Sequence, residues 1–383
     1  MPGDFPGRGG SGRGDGDMDT LLAVGIQALV LLIITINALL MPSLTRRDLL
    51  FGVTVAPDAR STDAARAIIR RYRIGVLLVV ILLAVGLALI WLLAPVSFWA
   101  SGWIIVIPFV LVFVPIIPYL QAWRASRALA IEAPPAAPPV PVASLRPRRY
   151  ADYIPLVWEA LPLALVALTA SYLVMTYAAA PAIIPIHFDA AGNPNGFAHK
   201  SVGSYFLLVW TQLFLYLLIT FLSALTVRAK AQATAANETF RRRMLRYLFG
   251  LKTVMIAMMG VLAVATTQAS LSGSARNITW AMWLPLGIVV VVIGGIFWLS
   301  IRTGQGGSRL SANGQNATDR MNDRYWKFGN IYANPGDPAI FVERRFGVGW
   351  TINFANPRAL LVLFVMLALP LAFVVFTFLM VGK

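Results

Sequence analysis

Two groups of side chains in this chain have the types and spacing that chemistry requires. The first lies in one polar loop, which holds both histidines of the protein, His187 and His199, together with the carboxylate of Asp189. Neutral imidazoles with a carboxylate suit zinc. The second is a single carboxylate, Glu159, inside a long apolar run, where an ionisable group is by default a candidate proton or ion site. Metal binding and proton transfer are therefore the chemistries to weigh.

Each group also has a purely structural interpretation, which we favour. The three loop ligands are scattered and lack the short helical spacing of a zinc motif. We therefore expect His187 to hydrogen-bond the turn and the neighbouring aspartate to cap free amides. Glu159 lies near one end of its apolar run, where it can pair with Arg148, Arg149 or Lys252. The sequence thus predicts no metal site and no cofactor.

Long apolar stretches must position these side chains. The hydrocarbon core of a bilayer requires about 20 apolar residues of helix, and 58% of the residues in this chain are hydrophobic. The sequence predicts an all-α polytopic membrane protein with about eight transmembrane helices, set in a lipid bilayer. The predicted spans are Thr20–Leu40, Ile74–Leu93, Gly102–Leu120, Ile154–Tyr177, Tyr205–Thr226, Leu251–Ala269, Ala281–Ser300 and Ala359–Val381.

Basic residues are distributed unevenly over the loops between these stretches. Most of the 32 Lys and Arg residues lie in alternate loops. Positive charge is retained in the cytoplasm, so those loops are predicted to be cytoplasmic and both termini extracytoplasmic. The formal net charge of +16 is thus mostly a topology signal. Nucleic acid is not an expected partner, because such a partner requires basic residues on a folded face with base-reading side chains.

Composition divides the chain into segments. The N-terminal tail is rich in Gly, Asp and Arg and is expected to be disordered, with Met18 as a second candidate start. A Pro-rich stretch in the second long loop is expected to be extended. The predicted segments are 1–19, the tail; 20–123, a three-helix membrane part; 124–153, the Pro-rich cytoplasmic linker; 154–226, a helix pair with an external loop at 178–204; 227–301, helices six and seven; 302–358, a cytoplasmic loop; and 359–383, the last helix.

The last cytoplasmic loop has a pattern of its own. Between Phe341 and Phe354, large apolar residues alternate with polar residues or glycine. That period of two predicts a small β-hairpin-like element before the last helix. The candidate docking residues for a cytoplasmic partner are Trp326, Phe346, Gly347 and Trp350.

The external loop resembles that of SdpI-like bacterial membrane proteins. Their signature is Pro, then His-aromatic-Asn, then Gly-x-x-x-Gly and a Lys, on an external loop between two spans. The matching positions are Pro185, His187, Phe188, Gly192, Gly196 and Lys200. Asp189 departs from the signature, because Asn is usual there. The resemblance implies that these seven residues form an external recognition loop.

Two further segments are similar to parts of the same group of proteins. One begins at Tyr325-Trp326 and continues through Phe346-Gly347-Val348-Gly349-Trp350, and the other is Leu50–Val53 followed by Pro57. The resemblance implies a multi-pass protein of the bacterial plasma (inner) membrane. The named member type gives immunity to a secreted peptide toxin and takes part in signalling, although its C-terminal half differs.

Catalytic motifs are missing from the sequence. There is no phosphate-binding Gly-Lys-Ser loop, no His-Glu-x-x-His helix and no Gly-x-Ser-x-Gly turn. We therefore expect a non-catalytic membrane protein, of the sensing or immunity type, that recognises a peptide or membrane-protein partner. Two alternatives stay open: a proton-coupled secondary transporter that uses Glu159, and a structural subunit of a larger membrane complex.

Overall fold

The computed structural model describes residues 13–93, 113, 115–132, 148–188, 194–229, 235–272, 278–303, 322–346 and 350–381. Predictions that fall on other residues lie outside this set. They include those for Asp189, Gly192 and Gly347, for the first residues of the tail and for the Pro-rich stretch 133–141.

Helices make up most of the described chain. The long ones follow the apolar runs, because a continuous helix satisfies every backbone group that lipid cannot. In chain order the helices are α1 (Arg13–Leu44), α2 (Asp63–Leu93), α3 (Ile116–Ser126), α4 (Ala160–Tyr177), α5 (Val202–Tyr205), α6 (Leu207–Arg228), α7 (Ala235–Ser272), α8 (Thr279–Thr303) and α9 (Pro357–Val381).

Six helical segments among the described residues are long and apolar enough to cross a membrane. They are Gln27–Leu44, Leu156–Tyr177, Leu207–Arg228, Glu238–Ser272, Trp283–Thr303 and Pro357–Val381. The prediction of a mostly helical, multi-pass membrane protein is confirmed, whereas the count of eight spans is not. Of the two remaining predicted spans, Ile74–Leu93 lies within α2, and Gly102–Leu120 falls largely on residues outside the described set.

Large apolar side chains on the outer helices support a lipid environment. On α9, Leu361, Phe364 and Phe378 are 62%, 67% and 75% exposed. Soluble monomers rarely show so continuous an apolar surface to water. Lipid tails are therefore the natural neighbours of this helix.

Helices α4, α6 and α7 form the best-packed part of the bundle. Val166, Leu173, Val209, Ile256 and Ala263 build its buried core. Helix α8 packs along α7. Helix α9 lies against α6, where the rings of Phe214 and Phe373 stack with centroids 4.1 Å apart.

The bundle has two ends, which we name by their residues. The arginine-rich side carries Arg46, Arg228 and Arg302, and the histidine side carries His187 and His199. On the histidine side lies one hairpin, β3 (Ile183–Phe188) paired with β4 (Pro194–His199).

Three small hairpins lie on the arginine-rich side, and we call them together the three-hairpin unit. Each is antiparallel, and their presence confirms the prediction of a hairpin before the last helix. The strands are β1 (Leu49–Leu50) with β2 (Val53–Thr54), β5 (Trp326–Lys327) with β6 (Ile331–Tyr332), and β7 (Phe341–Glu343) with β8 (Trp350–Ile352).

The first two hairpins turn through the same dipeptide. Phe51-Gly52 and Phe328-Gly329 all have positive φ, between 47° and 81°. Two such residues in succession give a turn whose twist matches that of the flanking strands. The two turns then pack directly against each other, and the Tyr119 hydroxyl donates to the carbonyls of Phe51, at 3.3 Å, and Phe328, at 2.9 Å. Residues nearly 280 positions apart thus form one folded unit.

Aromatic rings and one ion pair complete the contact between the hairpins. Phe51 packs on Tyr72 and Phe346, at ring-centroid distances of 4.8 Å and 5.4 Å. Asp323 accepts hydrogen bonds from the Thr54 hydroxyl, at 2.6 Å, and from the guanidinium of Arg345. Burial lowers the pKa of Arg345, and the Asp323 carboxylate opposes that shift. The guanidinium stays charged, so this is a buried charge with a matched partner.

Candidate functional site

The β3–β4 hairpin on the histidine side contains most of the predicted recognition residues. Pro185 pairs with Phe197, and His187 pairs with Gly196. The His187 Nδ1 atom makes a hydrogen bond with the side-chain oxygen of Asn195. A Cβ atom added at Gly196 would lie 2.8 Å from the His187 Cβ atom, so a larger residue there would push the imidazole away. The sequence therefore builds a defined hairpin around this histidine.

Lys200 fastens the hairpin to the end of α4. Its ammonium group donates to the carbonyl oxygens of Ala180, at 2.6 Å, and Tyr177, at 3.3 Å. It also lies 5.2 Å from the centroid of the Tyr177 ring. A cation at this position adds a donor to carbonyls at and just beyond the helix end and complements the helix dipole.

The β3–β4 hairpin packs against the α4–α6–α7 core and against the contact between α7 and the start of α8. Ile184 is buried in the α4–α6–α7 core. Phe188 packs against Ala265 and Ala269 of α7 and against Ile278, which precedes α8. The hairpin therefore packs against the histidine-side ends of α4, α6 and α7 and against the residue that precedes α8.

Removal of the His187 imidazole tests the structural interpretation of the loop. We expect His187→Ala to lose the hydrogen bond to Asn195, worth about 1 kcal/mol. Amide hydrogen exchange over residues 183–188 is expected to rise, while the metal content of the purified protein stays unchanged. His199→Ala is the matched control, because the described contacts of His199 involve only its backbone. A stoichiometric metal ion that is lost only in His187→Ala would contradict this prediction.

Glu159 is fully paired in the bundle. It ends a 3-10 turn, Leu156–Glu159, that precedes α4. The Lys252 Nζ atom lies 2.7 Å and 2.6 Å from its two carboxylate oxygens, and the Tyr150 hydroxyl donates to one of them at 2.6 Å. Lys252 is 1% exposed and donates its remaining hydrogen to the Thr220 hydroxyl at 3.2 Å. Of the three basic partners that the sequence allowed, the structure brings Lys252 to Glu159.

Tyrosine side chains surround this ion pair. Burial raises the pKa of the Tyr150 hydroxyl, and the hydrogen bond to Glu159 raises it further, so the phenol stays a donor at physiological pH. The Lys252 Nζ atom also lies 4.6 Å from the centroid of the Tyr216 ring. Arg148 instead pairs with Glu238, at 3.7 Å and partly exposed.

Polar contacts recur at two further levels of the bundle, between Glu159 and the histidine side, and the second of them involves Tyr205 of α5. The Gln212 amide donates to the Thr169 hydroxyl, at 3.1 Å, and to the Ile256 carbonyl, at 2.9 Å. Its side-chain oxygen is buried without a hydrogen-bond partner among the described residues. Nearer the histidine side, the Tyr205 hydroxyl donates to Thr176 at 2.9 Å. The bundle thus contains a polar row along its axis, which the sequence showed only as single polar residues in apolar runs.

Helix α7 connects the two sides of the molecule. Its 38 residues correspond to about 57 Å of helix. At the histidine side it contacts Phe188. At the arginine-rich side the ring of Phe240 lies 5.3 Å from that of Trp350, and the buried guanidinium of Arg241 donates to the Val227 and Ala229 carbonyls. One continuous helix therefore contacts both the β3–β4 hairpin and the three-hairpin unit.

The predicted docking residues lie largely inside the three-hairpin unit. Trp326 is only 5% exposed, and the Arg345 guanidinium lies 5.0 Å from its ring centroid. Phe346 packs on Phe51, and Trp350 packs on Phe240. Docking of a partner by these residues stays a prediction.

Fold and site together define a multi-pass membrane protein with one structured hairpin on its histidine side. Residues 164–211 match a domain of unknown function (DUF1648), and residues 335–360 match a family of unknown function (DUF5808). Both are typical of bacterial membrane proteins. The first match covers most of α4, the β3–β4 hairpin and the start of α6, and the second covers β7, β8 and the start of α9.

These matches support the conclusion that the chain is an integral membrane protein, and they indicate no narrower function. Neither is specific to SdpI-like proteins, so that narrower resemblance stays a prediction. No curated protein and no solved structure matches the chain. Within the part of the chain that the structure describes, no group of three or more His, Cys, Asp or Glu residues could hold a metal ion.

Proposed function

We propose that this chain is a non-catalytic recognition protein of the bacterial plasma membrane, of the sensing or immunity type. Its β3–β4 hairpin lies outside the cell and binds a peptide or a protein partner. The proposal places the arginine-rich side in the cytoplasm, because basic loops are retained there. Both termini then lie outside, as the alternation of charges predicts.

The observation that carries the proposal is the continuity of α7 between the two sides. A partner that shifts Phe188 acts on the outer end of this helix. The same helix holds Trp350 of the three-hairpin unit through Phe240. Packed helices transmit displacements because their interfaces rearrange between discrete arrangements rather than deform continuously. External binding therefore has a direct mechanical route to the cytoplasmic side.

The surface of the hairpin suits a protein or peptide partner. Ile183 and Phe197 are 47% and 46% exposed, and the exposed His187 follows Phe197 along the hairpin towards its turn. Aromatic and aliphatic side chains on a rigid element are the usual anchors of protein interfaces. Lys200 and Phe188 fix the hairpin, so these side chains lose little conformational entropy when a partner binds.

Purification under mild conditions from native membranes tests this proposal. A photo-crosslinking residue at position 183 should capture one peptide or protein in stoichiometric yield. The double variant His187→Ala with Phe197→Ala should lose that species. Ile331→Ala is the matched control, because it removes an exposed apolar side chain from the arginine-rich side and should keep the species. Recovery of the protein alone from every sample would argue against recognition.

Transport is the second candidate, and the polar row through α4, α6 and α7 favours it. Glu159, Gln212 and Tyr205 place polar groups at three levels of the bundle. A transporter would show flux driven by a pH gradient in proteoliposomes, and Glu159→Gln should abolish it. Unchanged flux in that variant would reject this role for Glu159. A partner that is bound equally by the hairpin variants would instead support a structural subunit.

A further inference from the structure

A basic cleft lies between α7 and α8 on the arginine-rich side. It encloses about 600 Å³. Helix α7 contributes residues one turn apart, and α8 contributes the residues that face them. The cleft is lined by Arg243, Arg246, Tyr247, Trp298, Leu299 and Arg302.

The three arginines bring positive charge to one cleft, and none of them forms an ion pair with a carboxylate among the described residues. Arg243, Arg246 and Arg302 are exposed. The ion pairs of the described residues use other basic side chains, among them Arg148 with Glu238 on the same side of the bundle. Three arginines that line one cleft, with no carboxylate partner in the part of the chain that the structure describes, form a site for an anion. A planar guanidinium binds phosphate oxygens in pairs.

The floor and walls of the cleft are apolar and fixed. The Tyr247 hydroxyl donates to the Val292 carbonyl at 2.7 Å, which holds the ring across the gap between the helices. The ring fits because residue 295 is glycine: a Cβ atom there would lie 2.7 Å from it. Trp298 is 60% exposed at the rim. An anion in this cleft therefore sits against hydrocarbon rather than in a fully polar pocket.

The position of the cleft relative to the membrane indicates which class of anion it binds. Arg302 lies at the last turn of the candidate span Trp283–Thr303, and a tryptophan at such a level marks the headgroup region. About two turns deeper than Trp298 on α8, Val290 and Val291 are 50% and 67% exposed and offer an apolar face. A ligand that places a phosphate on the arginines and acyl chains along these valines satisfies both surfaces at once.

We infer that the α7–α8 cleft binds the phosphate of an anionic phospholipid headgroup, with the acyl chains along the outer face of α8. Basic pockets between transmembrane helices on the cytoplasmic side are a recurring form of lipid recognition. The bound lipid joins α8 to α7 at the end where α7 holds the three-hairpin unit. The inference is independent of what the β3–β4 hairpin recognises.

Lipid retention in nanodiscs tests the inference. The full chain is placed in phosphatidylcholine discs with or without phosphatidylglycerol, and bound lipid is measured by native mass spectrometry. The triple variant Arg243→Gln, Arg246→Gln and Arg302→Gln is expected to lose phosphatidylglycerol affinity about 100-fold, because glutamine amides cannot replace the charge-assisted hydrogen bonds from the guanidinium groups to the phosphate. The control triple variant, Arg70→Gln, Arg71→Gln and Arg73→Gln, removes the same charge from exposed arginines of α2 and should bind like the unchanged protein.

Three outcomes would overturn the assignment. One is equal loss in both triple variants, which would reduce the effect to general surface charge. A second is unchanged binding in the cleft variant, provided that its melting temperature in phosphatidylcholine matches that of the unchanged protein. The third is displacement of phosphatidylglycerol by millimolar inorganic phosphate, which would assign the cleft to a small soluble anion.

Discussion

Replacement of Lys252 by alanine is expected to destabilise the bundle by about 3–5 kcal/mol, because it leaves the Glu159 carboxylate buried without a counter-charge. The carboxylate would keep neutral donors such as the Tyr150 hydroxyl but would have no cation beside it. Thr220 would lose the donor that its hydroxyl now accepts from. Unfolding of the purified protein in detergent micelles, by heat or by a denaturing detergent, measures the change.

A double variant separates the burial of charge from the loss of packing. Glu159→Gln with Lys252→Met removes both charges, keeps an acceptor for Tyr150 and keeps the length of the second side chain. Replacement of a buried ion pair by neutral groups often changes the free energy of unfolding very little. We therefore expect the double variant to recover more than half of the stability that Lys252→Ala loses.

The matched control is the exposed pair between Arg148 and Glu238. Their charged atoms are 3.7 Å apart, and their side chains are 33% and 40% exposed. Such pairs contribute less than about 1 kcal/mol, so Arg148→Ala should have a small effect. If Lys252→Ala were no more destabilising than Arg148→Ala, the structural role of the buried pair would be rejected.

The second large effect is expected for Gly52→Ala, which should separate the first two hairpins of the three-hairpin unit. Gly52 has a φ of +81°, and a Cβ atom there would lie 2.1 Å from the carbonyl oxygen of Gly329. The backbone of Gly329 cannot relieve this clash by rotating away, as a flexible side chain could. The two turns must therefore move apart. Strain at φ together with overpacking is expected to cost about 2–4 kcal/mol.

Hydrogen exchange and limited proteolysis measure this separation. Amides of residues 49–54 and 326–332 should exchange faster in Gly52→Ala. Gly250→Ala is the control, because Gly250 lies exposed within α7 and a Cβ atom there meets nothing within 4 Å. That substitution removes a helix-interior glycine and should stabilise by up to about 1 kcal/mol. Similar exchange in both variants would show that the two turns do not support each other.

The parts of the fold that follow from local pattern could be predicted from the sequence. The length of the apolar runs predicted the long helices, and the alternation of apolar residues predicted the β7–β8 hairpin. The residues around His187 were predicted to form a turn in an external loop, and the structure shows a hairpin there. In each case the information lies within one or two dozen neighbouring residues, which is the range over which helix and strand periodicity acts.

The contacts that the sequence did not reveal are those between distant segments. Thr54 and Asp323 are 269 positions apart, and no local signal connects them. The Phe-Gly turns were also hidden, since Asn-Gly and Asp-Gly are the usual signatures of such turns. Gln212 was one amide in an apolar run, and only the packing of α4 and α7 against it shows its hydrogen bonds.

The composition of the three-hairpin unit sets a constraint on how the protein is made. Its first hairpin is synthesised early, yet Asp323 and Phe328, which complete it, follow about 270 residues later. At about 5 to 20 residues per second, the ribosome takes roughly 10 to 50 seconds to reach them. Throughout that interval the ring of Phe51 lacks Phe346, the aromatic neighbour that the later segment supplies. The three-hairpin unit can therefore fold only after the final loop has been translated. A stalled or truncated chain would leave the aromatic surface around Phe51 exposed, and the quality-control proteases of the cell could then recognise it.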